Sequence, residues 1–523
     1  MSLRPATLLV ACTLVGGACG SGKSIIVAGN DTPATSSVAA PPTAQPAGST
    51  MPGDTGPAPP TSLGEGGEPV TTPPATNATT TTTPLDALPA CPVTALANVD
   101  EPTEITFWHG LNVDNETAIQ RAVDAYNSSQ DRVRVRAENQ GGYEETIDKY
   151  FQSGVDDRPA VVMFPDYSTQ RAIDSRAIVP VGACTNADEY ELSTFQPSTI
   201  AAYSAAGVQW GMPFNVSNPV LYYNRNVFVA AGLDPDRPPQ SLEQLRDYSQ
   251  QIVDSGAAAY GIALDSGSDS GGGWYIEQWF ANMGELYADN GNGRLAPATR
   301  VLYDGPAGVR MLTYVQQLIT DGLAFYVGDN AGGADQLFKL ADPAEPAAMA
   351  IGTSAGLGTI LNVLAGGLVP DLGPEDVGIG PLPGPGPAPT ALVGGAALYV
   401  TEGKSDVEIA AAWDFIQFMV SPETQSTFAS ETGYAPVRAE ALEIEPALRV
   451  YAADPRFRVG FDQLVASPDS PALQGPILGP QREIRTITAR AVAEVFAGGD
   501  VQAALTNAAA QANDLLAAYN ASN

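Results

Sequence analysis

Histidine is almost absent from this 523-residue chain, which contains His109 alone. Transition-metal sites are usually built from several histidine and cysteine ligands, and no cysteine spacing here is typical of a zinc site. We therefore expect neither a metal nor a cofactor.

The shortage of histidine also argues against an esterase. The sequence GTSAG at 352–356 fits the Gly-x-Ser-x-Gly pattern of serine hydrolases. In those enzymes the histidine follows the serine along the chain, whereas His109 lies far before Ser354. The sequence therefore predicts that the protein is not an enzyme, and a surface esterase using Ser354 is a remote alternative.

Basic residues are scarce: Lys and Arg together number 25 against 58 Asp and Glu, which gives a formal net charge of −33. Proteins that bind nucleic acid or anionic membrane surfaces need a basic patch. The charge balance argues against both partners. An anionic ligand would need a local cationic pocket that overcomes the acidic surroundings.

The N-terminal apolar run is too short to cross a bilayer, which takes about 20 residues. It extends from Ala6 to Val15, follows Arg4, and precedes three small residues and Cys19. This order is typical of an export leader, residues 1–18. A cysteine in this position resembles a lipoprotein processing site, so we expect lipidation of Cys19 and anchoring to the outer face of the cell membrane. The alternative is ordinary secretion with free release.

Aromatic residues are missing between Gly20 and about Ala90, where Thr, Pro, Ala, Gly and Ser dominate. Such a composition buries too little apolar surface to offset the entropy lost on ordering. We therefore expect residues 19–90 to form a disordered tether. Its prolines favour an extended chain with a reach on the order of 200 Å.

Cysteine is also rare, and two of the four cysteines, Cys12 and Cys19, lie in or directly after the leader, which leaves Cys91 and Cys184 in the globular part. In an exported protein these two are expected to form a disulfide that stabilises the fold by about 4 to 5 kcal/mol. Residues 91–523 exceed what one hydrophobic core usually supports, so two lobes are expected.

The globular part opens with alternating strands and helices. Alternating apolar and polar residues predict strands at Glu104–Trp108 and Val133–Glu138, with a helix over residues 118–126 between them. The apolar segment Pro159–Phe164 predicts a fully buried strand. This β-α-β order predicts a parallel sheet covered by helices, whose ligands lie beyond the carboxyl ends of the strands.

Later segments give further local predictions. Gly211–Asp234 predicts a polar loop followed by a strand and a helix, and Asp406–Val420 predicts an amphipathic helix. Two helical stretches are expected between Arg485 and Tyr519, separated by two glycines at 498–499. The Gly/Pro run at 380–389 predicts a loop or a crossing between lobes.

Five segments together carry a resemblance to a known family. They are ITFWHG at 105–110, GGYEET at 141–146, GMPFNVSNPVLYYN at 211–224, LVGGAALYVTEGK at 392–404 and SPETQSTFASETGYAPV at 421–437. Their order and spacing resemble the family 1 extracellular solute-binding proteins of ABC importers. Within that family, the sequence is most similar to the subunits that bind sn-glycerol-3-phosphate and glycerophosphodiesters.

The resemblance implies an α/β fold of the two-lobed, periplasmic-binding-protein-like type II, in which a hinge joins the lobes. It implies a first lobe from residues 91–214 plus about 351–410, and a second lobe from 215–350 plus about 411–523. In this family the lobes close on a small solute and the closed form docks on a membrane permease. We expect a monomer with these two partners.

The resemblance also implies the residues that line the cleft. The matching positions are Tyr143, Asp166, Ser217, Trp274, Ser354, Gly395, Tyr434 and Arg485. Arg485 would supply a guanidinium fork for phosphate, Asp166 would accept hydrogen bonds from a glycerol diol, and Trp274 would pack over the glycerol carbons. The subfamily carries Glu at the position of Asp166, and the shorter side chain reduces the reach.

Six of these residues have a structural alternative. Ser217 and Ser354 could be ordinary loop serines. Arg485 could instead pair with Glu483 or another surface acid, and Asp166 could cap a turn. Tyr143 and Tyr434 could be half-buried scaffold residues.

The ligand implied by the resemblance is a glycerophosphodiester such as glycerophosphocholine, or sn-glycerol-3-phosphate. Trp279 could face a quaternary ammonium group through cation–π attraction, which would favour glycerophosphocholine, and its alternative is core packing. The same aromatic rings suit a sugar. An oligosaccharide-binding protein of the same fold is therefore the alternative function.

Overall fold

The structure, a computed structural model, describes residues 88–331 and 333–523, which form both strands and helices. The strands are β1 Thr103–His109, β2 Val133–Asn139, β3 Val161–Pro165, β4 Ile178–Val179, β5 Ser204–Ala205, β6 Val208–Gln209, β7 Met212–Ser217, β8 Pro219–Asn224, β9 Tyr260–Leu264, β10 Ala324–Tyr326, β11 Ala347–Thr353, β12 Val377–Pro381 and β13 Gly394–Thr401. The helices are α1 Val113–Ser129, α2 Tyr143–Gln152, α3 Thr169–Asp174, α4 Val181–Ala187, α5 Pro197–Ala202, α6 Arg225–Ala230, α7 Leu242–Ser255, α8 Trp274–Asn282, α9 Asp289–Asn292, α10 Pro306–Thr320, α11 Asp335–Phe338, α12 Leu357–Ala365, α13 Asp406–Met419, α14 Pro422–Glu431, α15 Ala447–Ala453, α16 Arg458–Ala466, α17 Gln481–Phe496 and α18 Val501–Ser522. Within these described ranges, no helix is both long and apolar enough to cross a membrane.

The two strands expected from alternating residues are confirmed as β1 and β2, which pair in parallel. In β2, Val133 and Val135 are buried and alternate with exposed Arg134 and Arg136. This period of two places one face of the strand on the core. The helix expected between the strands is α1, and the expected buried strand is β3, every residue of which is buried.

The first sheet has the strand order β2-β1-β3-β13-β4, and β7 also pairs with β13. β1 runs parallel to β2 and β3, whereas β13 runs antiparallel to β3, β4 and β7. Fully buried aromatic residues, among them Phe107, Phe164 and Tyr399, fill its core. Helix α1 packs on β2 and helix α13 packs on β1. Together these elements form the first lobe.

The second sheet has the strand order β10-β9-β11-β8-β12. β9 runs parallel to β10 and β11, whereas β8 runs antiparallel to β11 and β12. Leu221, Ile262 and Met349 belong to its separate hydrophobic core. The long helices α17 and α18 pack on each other and on α10. These elements form the second lobe.

The chain crosses between the sheets at two short connections. A single residue, Asn218, separates β7 of the first sheet from β8 of the second. Asn218 is fully buried, and its side-chain amide donates to the carbonyl oxygen of Gly460 at 2.8 Å. The chain returns from β12 to β13 through residues 382–393, which include most of the Gly/Pro run expected as a loop or crossing. The first two residues of that run end β12 instead.

The lobe boundaries implied by the resemblance need two corrections. Residues 351–381, expected in the first lobe, contribute to the second, because β12 pairs with β8. Residues 411–453, expected in the second lobe, belong with the first, because α13 packs on β1 and α14 packs on α1. Both assignments depend on contacts between segments far apart in the sequence, which local patterns do not reveal.

The stretch expected as a polar loop within Gly211–Asp234 is also corrected, because it contains strand β7. All six residues of β7 are buried, since the strand pairs with β13 and is covered by the core. A strand buried on both faces lacks the alternation that identifies a strand in a sequence. The strand and helix expected after it are present as β8 and α6.

Capping residues explain where the expected late helices begin. The Ser405 hydroxyl accepts a hydrogen bond from the backbone N–H of Glu408, and the Glu408 carboxylate accepts one from the backbone N–H of Ser405. This reciprocal pair satisfies two donors at the start of α13. Farther on, α17 and α18 are the two expected helical stretches, and Gly498 and Gly499 lie between them.

A disulfide joins Cys91 to Cys184. It ties the start of the globular part to α4, whose residues lie in the core of the first lobe. The expected leader, the lipidation site Cys19 and residues 20–87 of the expected tether lie outside the described residues.

Candidate functional site

A cleft open to solvent lies between the two lobes, and the space around it, open solvent included, amounts to about 490 Å³. It is at the carboxyl ends of strands, as the parallel sheet predicts: Asp166 directly follows β3, Ser217 ends β7 and Thr353 ends β11. Tyr143 and Trp274 are the first residues of α2 and α8. The lining residues are Tyr143, Pro165, Asp166, Tyr167, Ser217, Asp269, Trp274, Thr353, Gly395, Tyr434 and Arg485.

The structure brings together every residue implied by the resemblance except Ser354, whose neighbour Thr353 lines the cleft instead. The backbone N–H of Ser354 donates to the carbonyl oxygen of Asn218 at 2.9 Å, and its hydroxyl accepts the N–H of Asn218 at 3.3 Å. Ser354 is therefore bonded to the single residue at which the chain crosses between the sheets.

Arg485, expected as the phosphate fork, is held by two carboxylates. Its Nε and Nη2 donate to the two carboxylate oxygens of Glu277 at 2.8 and 2.7 Å, and Nη2 also donates to Asp166 at 2.9 Å. The side chains of Arg485 and Glu277 are only 4% and 2% exposed. The alternative that Arg485 pairs with acids is thus realised, but with Glu277 and Asp166 instead of Glu483.

One nitrogen of Arg485 stays available to a ligand. Nη1 donates to no group in the described part of the chain, and Arg485 lines the cleft. The guanidinium also lies over the ring of Tyr167, with 4.9 Å to the ring centroid. Burial alone would lower the pKa of Arg485, but the carboxylates of Glu277 and Asp166 raise it well above its ordinary value. Arg485 is therefore a fixed cation at every relevant pH.

Carboxylates outnumber cations in the cleft. Burial raises the pKa of Asp166 to about 6, although the adjacent Arg485 lowers it. Burial raises the pKa of Asp269 to about 7, and the Arg485 charge again opposes the shift. With Glu277, three acids surround one guanidinium, so the cleft carries an excess of negative charge once Asp166 and Asp269 are ionised, at a pH above about 7. The sequence did not single out Asp269 or Glu277, although Asp269 lies just before Trp274 in the glycine-rich segment SGSDSGGGW.

The loop that carries Asp269 is held by the neighbouring Asp265. One oxygen of the Asp265 carboxylate accepts the backbone N–H groups of Gly267 at 2.9 Å and Gly271 at 3.0 Å, and also the hydroxyl of Ser270. A Cβ atom at Gly271 would lie 2.0 Å from the carbonyl oxygen of Asp265, so the turn requires glycine there. The loop is thus a tight turn stabilised by its own hydrogen bonds.

Aromatic rings form the other part of the lining. The hydroxyl of Tyr143 accepts a hydrogen bond from the side-chain amide of Asn215 at 2.7 Å. The hydroxyl of Tyr167 donates to the Glu144 carboxylate at 2.5 Å. Trp279 does not reach the cleft: it is buried in the second-lobe core and donates to a backbone carbonyl, so the core-packing alternative holds for this residue.

Two glycines of β13 let the backbone approach its neighbours closely. Gly395 has a φ of 93°, and a Cβ atom there would lie 2.0 Å from the carbonyl oxygen of Asn215. A Cβ atom at Gly394 would lie 2.3 Å from the indole ring of Trp274. Residues larger than glycine at these positions would displace β7 or the tryptophan.

Polar contacts join the lobes along the rim of the cleft. Arg482, one helical turn before Arg485, pairs with Glu144 and with Asp148 of the first lobe. Near the C-terminus, the hydroxyl of Tyr519 donates to Asp174 at 3.0 Å.

Arg294 makes a second kind of contact between the lobes. It is a second-lobe residue whose guanidinium donates to the first-lobe carbonyl oxygens of Ala201 at 2.7 Å and Ser204 at 2.8 Å, and to that of Gly475 at 2.8 Å. Burial lowers the pKa of Arg294 to about 9. Arg294 therefore joins the two lobes through hydrogen bonds to backbone carbonyl oxygens.

Two observations concern the esterase and metal-site alternatives. His109 is buried in the first lobe, and burial lowers its pKa to about 4. Within the described ranges, no group of three or more His, Cys, Asp or Glu side chains could hold a metal ion.

Residues 121–459 match the bacterial extracellular solute-binding protein family. The chain belongs to this family. Solute-binding proteins of ABC importers bind small molecules outside the cytoplasm and deliver them to membrane permeases. One relative, the sn-glycerol-3-phosphate-binding periplasmic protein of Pectobacterium atrosepticum, is 28% identical over 452 residues, which cover 83% of this chain and 96% of the relative. The resemblance to the glycerol-phosphate-binding subunits is thereby confirmed.

Solved structures of solute-binding proteins share the two-lobed fold. The UgpB protein of Mycobacterium tuberculosis in complex with glycerophosphocholine has a TM-score of 0.64 and 21% identity, covering 81% of this chain and 100% of its own. The cyclic alpha-maltosyl-1,6-maltose binding protein of Arthrobacter globiformis has a TM-score of 0.64 and 23% identity, covering 79% of this chain and 99% of its own. Similarity of fold therefore extends to proteins for phosphodiesters and for sugars.

Proposed function

We propose that this solute-binding protein captures a glycerophosphodiester with a positively charged head group, such as glycerophosphocholine, and delivers it to the permease of an ABC importer. The observation that carries the proposal is the combination of one available guanidinium nitrogen with excess carboxylates and aromatic rings in a single cleft.

Charge complementarity favours a zwitterion over a dianion. A phosphodiester carries one negative charge, which Nη1 of Arg485 can meet with a charge-assisted hydrogen bond. The positive head group compensates the acids that Arg485 does not neutralise. A phosphate monoester such as sn-glycerol-3-phosphate carries between −1.5 and −2 charges at about pH 7 and brings no cation, so the carboxylates of Asp166 and Asp269 repel it.

The relatives support the phosphoglycerol part of this proposal. The Pectobacterium relative is named for sn-glycerol-3-phosphate, and the Mycobacterium structure contains glycerophosphocholine. Tyr143, Asp166 and Tyr434 supply hydroxyl and carboxylate groups that suit a glycerol diol.

Calorimetric titration of the purified protein with glycerophosphocholine, sn-glycerol-3-phosphate, trehalose and maltose tests the proposal. We expect glycerophosphocholine to bind most tightly and Arg485→Lys to abolish its binding, because lysine keeps the charge facing Glu277 but loses the planar fork. Arg490→Lys, an exposed arginine on the same helix and outside the cleft lining, is the matched control and should retain binding. Saccharide binding that Arg485→Lys leaves unchanged would refute the phosphodiester.

An oligosaccharide importer is the second candidate function. The pairing of Arg485 with Glu277 and Asp166 favours it, because a guanidinium already neutralised by carboxylates can act as a structural support in a sugar site. Carboxylates and aromatic rings are also what a sugar requires. The same titration separates the two candidates.

Export and anchoring complete the proposal. We expect lipidation at Cys19, with residues 19–90 as a tether, so Cys19→Ser should release the protein from the membrane fraction into the medium.

The protein is proposed to have no hydrolytic activity. Ser354→Ala and the unaltered protein should both leave ester and phosphodiester ligands intact, and turnover that disappears in Ser354→Ala would establish the esterase alternative.

A further inference from the structure

Asp269 differs from the other acids of the cleft because no hydrogen-bond donor of the described residues contacts its carboxylate. Its carboxylate accepts no hydrogen bond and forms no ion pair within the described part of the chain, although it lines the cleft. Asp166 and Glu277 are both bonded to Arg485, and Asp265, on the same loop, accepts three hydrogen bonds. A partly buried carboxylate without a donor is costly unless a ligand supplies the missing partner.

The position of Asp269 is fixed before any ligand arrives. Besides the bonds to Asp265, the backbone N–H groups of Gly272 and Gly273 donate to the carbonyl oxygen of Gly267 at 2.9 and 3.2 Å. The N–H of Trp274 donates to the carbonyl oxygen of Ser268 at 3.3 Å. The same loop therefore presents a carboxylate and, a few residues later, an indole ring to one cavity.

From this arrangement we infer that Asp269 and Trp274 form the subsite for the cationic head group of the ligand, and that Asp269 sets the preference for cationic diesters over phosphate monoesters. The inference rests on the proposed function and names the residue that determines specificity within it. A quaternary ammonium group has no N–H to donate, so it is recognised by charge and by the face of an aromatic ring. A rigid carboxylate next to an indole supplies both.

The charges around Asp269 also favour a ligand cation at this place. Arg485 and Arg482, the two cations whose charges lower the pKa of Asp269, are already bonded to other acids. Glu144 and Asp166 add negative charge around it. A ligand cation at this place relieves the repulsion, whereas a second phosphate charge increases it. Because these acids come from both lobes, the same cation favours closure.

The test compares three ligands by calorimetry on the full protein. They are glycerophosphocholine, the diester in which a neutral 3,3-dimethylbutyl group replaces choline, and sn-glycerol-3-phosphate. The unaltered protein should bind glycerophosphocholine about 10-fold to 100-fold more tightly than the neutral analogue. Asp269→Asn keeps the size of the side chain, so it should remove most of that ratio and weaken the preference over sn-glycerol-3-phosphate. Asp254→Asn, an exposed acid on α7 outside the cleft, is the matched control and should leave both ratios unchanged.

The outcomes separate this inference from the proposed function. If the unaltered protein does not bind glycerophosphocholine, the proposed function fails. If it binds glycerophosphocholine and its neutral analogue equally, or if Asp269→Asn retains the full ratio, the head-group subsite is overturned while the phosphodiester function stands. The comparison of ligands on the unaltered protein decides the question even if Asp269→Asn does not fold, and Asp269→Glu, which keeps the charge, should retain part of the discrimination.

Discussion

Replacing Arg485 by Met is predicted to destabilise the second lobe as well as to abolish ligand binding. Glu277, which is 2% exposed, would lose the cation with which it pairs in the described part of the chain. Removing one partner of a buried ion pair costs about 3 to 5 kcal/mol, because the remaining charge is left uncompensated. The side-chain amide of Gln481 still donates to Glu277 at 3.3 Å, so we expect the lower end of that range, about 3 kcal/mol.

A second substitution separates stability from recognition. The double variant Arg485→Met with Glu277→Gln removes the most deeply buried carboxylate of the pair, while Asp166, which also loses Arg485, is 19% exposed. We expect the double variant to recover at least half of the lost stability, since a neutral amide is much cheaper to bury than a carboxylate. Ligand binding should stay lost, because the fork that would contact phosphate is absent from both variants.

Thermal unfolding of the three proteins measures this effect. For a lobe of roughly 200 residues, about 3 kcal/mol corresponds to a lowering of the midpoint by about 6 to 12 °C. The reasoning is refuted if Arg485→Met unfolds within about 2 °C of the unaltered protein, or if the double variant is no more stable than the single one. Either result would mean that the buried charge of Glu277 does not need Arg485 for its stabilisation.

Three further predictions concern charge, covalent links and closure. Because burial raises the pKa of Asp269 from its ordinary 3.8 to about 7, its contribution to stability is complete below pH 3.8 and is lost as the pH rises through 7. The free energy of unfolding of Asp269→Asn should therefore exceed that of the unaltered protein by a difference that grows with pH, to roughly 2 to 4 kcal/mol at pH 8. A difference in thermal unfolding that does not change with pH would contradict this. Reduction of the Cys91–Cys184 disulfide should lower the free energy of unfolding by about 4 to 5 kcal/mol in urea titrations, and equal midpoints with and without reductant would exclude it. Arg294→Met should open the cleft of the ligand-free protein, since the guanidinium donates to carbonyls of both lobes; small-angle scattering should report a larger radius of gyration, and an unchanged radius would show that closure does not depend on this residue.

Local patterns predicted the elements whose burial follows a simple period. β1, β2 and α1 were expected from alternating or helically spaced apolar residues, and each is present. β7 was not expected, because it is buried on both faces and has no alternation. The lobe membership of β12 and α13 was wrong for a different reason. It depends on pairing with β8 and packing on β1, which are distant in the sequence.

The site was predictable where a motif marks it and not where its chemistry depends on tertiary contacts. The family motifs placed seven of the eight expected residues in one cleft, and Ser354 is instead bonded to Asn218. Nothing local marks Glu277 as the partner of Arg485. Glu277 lies on α8, every residue of which is buried. The sequence of such a helix does not reveal which distant residue supplies the cation for a buried carboxylate.

The disulfide near the start of the globular part has a mechanical consequence. Cys91 lies at the point where the N-terminal segment enters the fold, and its bond to Cys184 secures that point within the first lobe. Any pull along the N-terminal segment is therefore borne by the first lobe and does not unravel its first strand. The second lobe is joined to this secured lobe through Asn218, through residues 382–393 and through the segment between α15 and α17, none of which carries the disulfide. A permease that holds the first lobe would then sense the ligand through the position of the second.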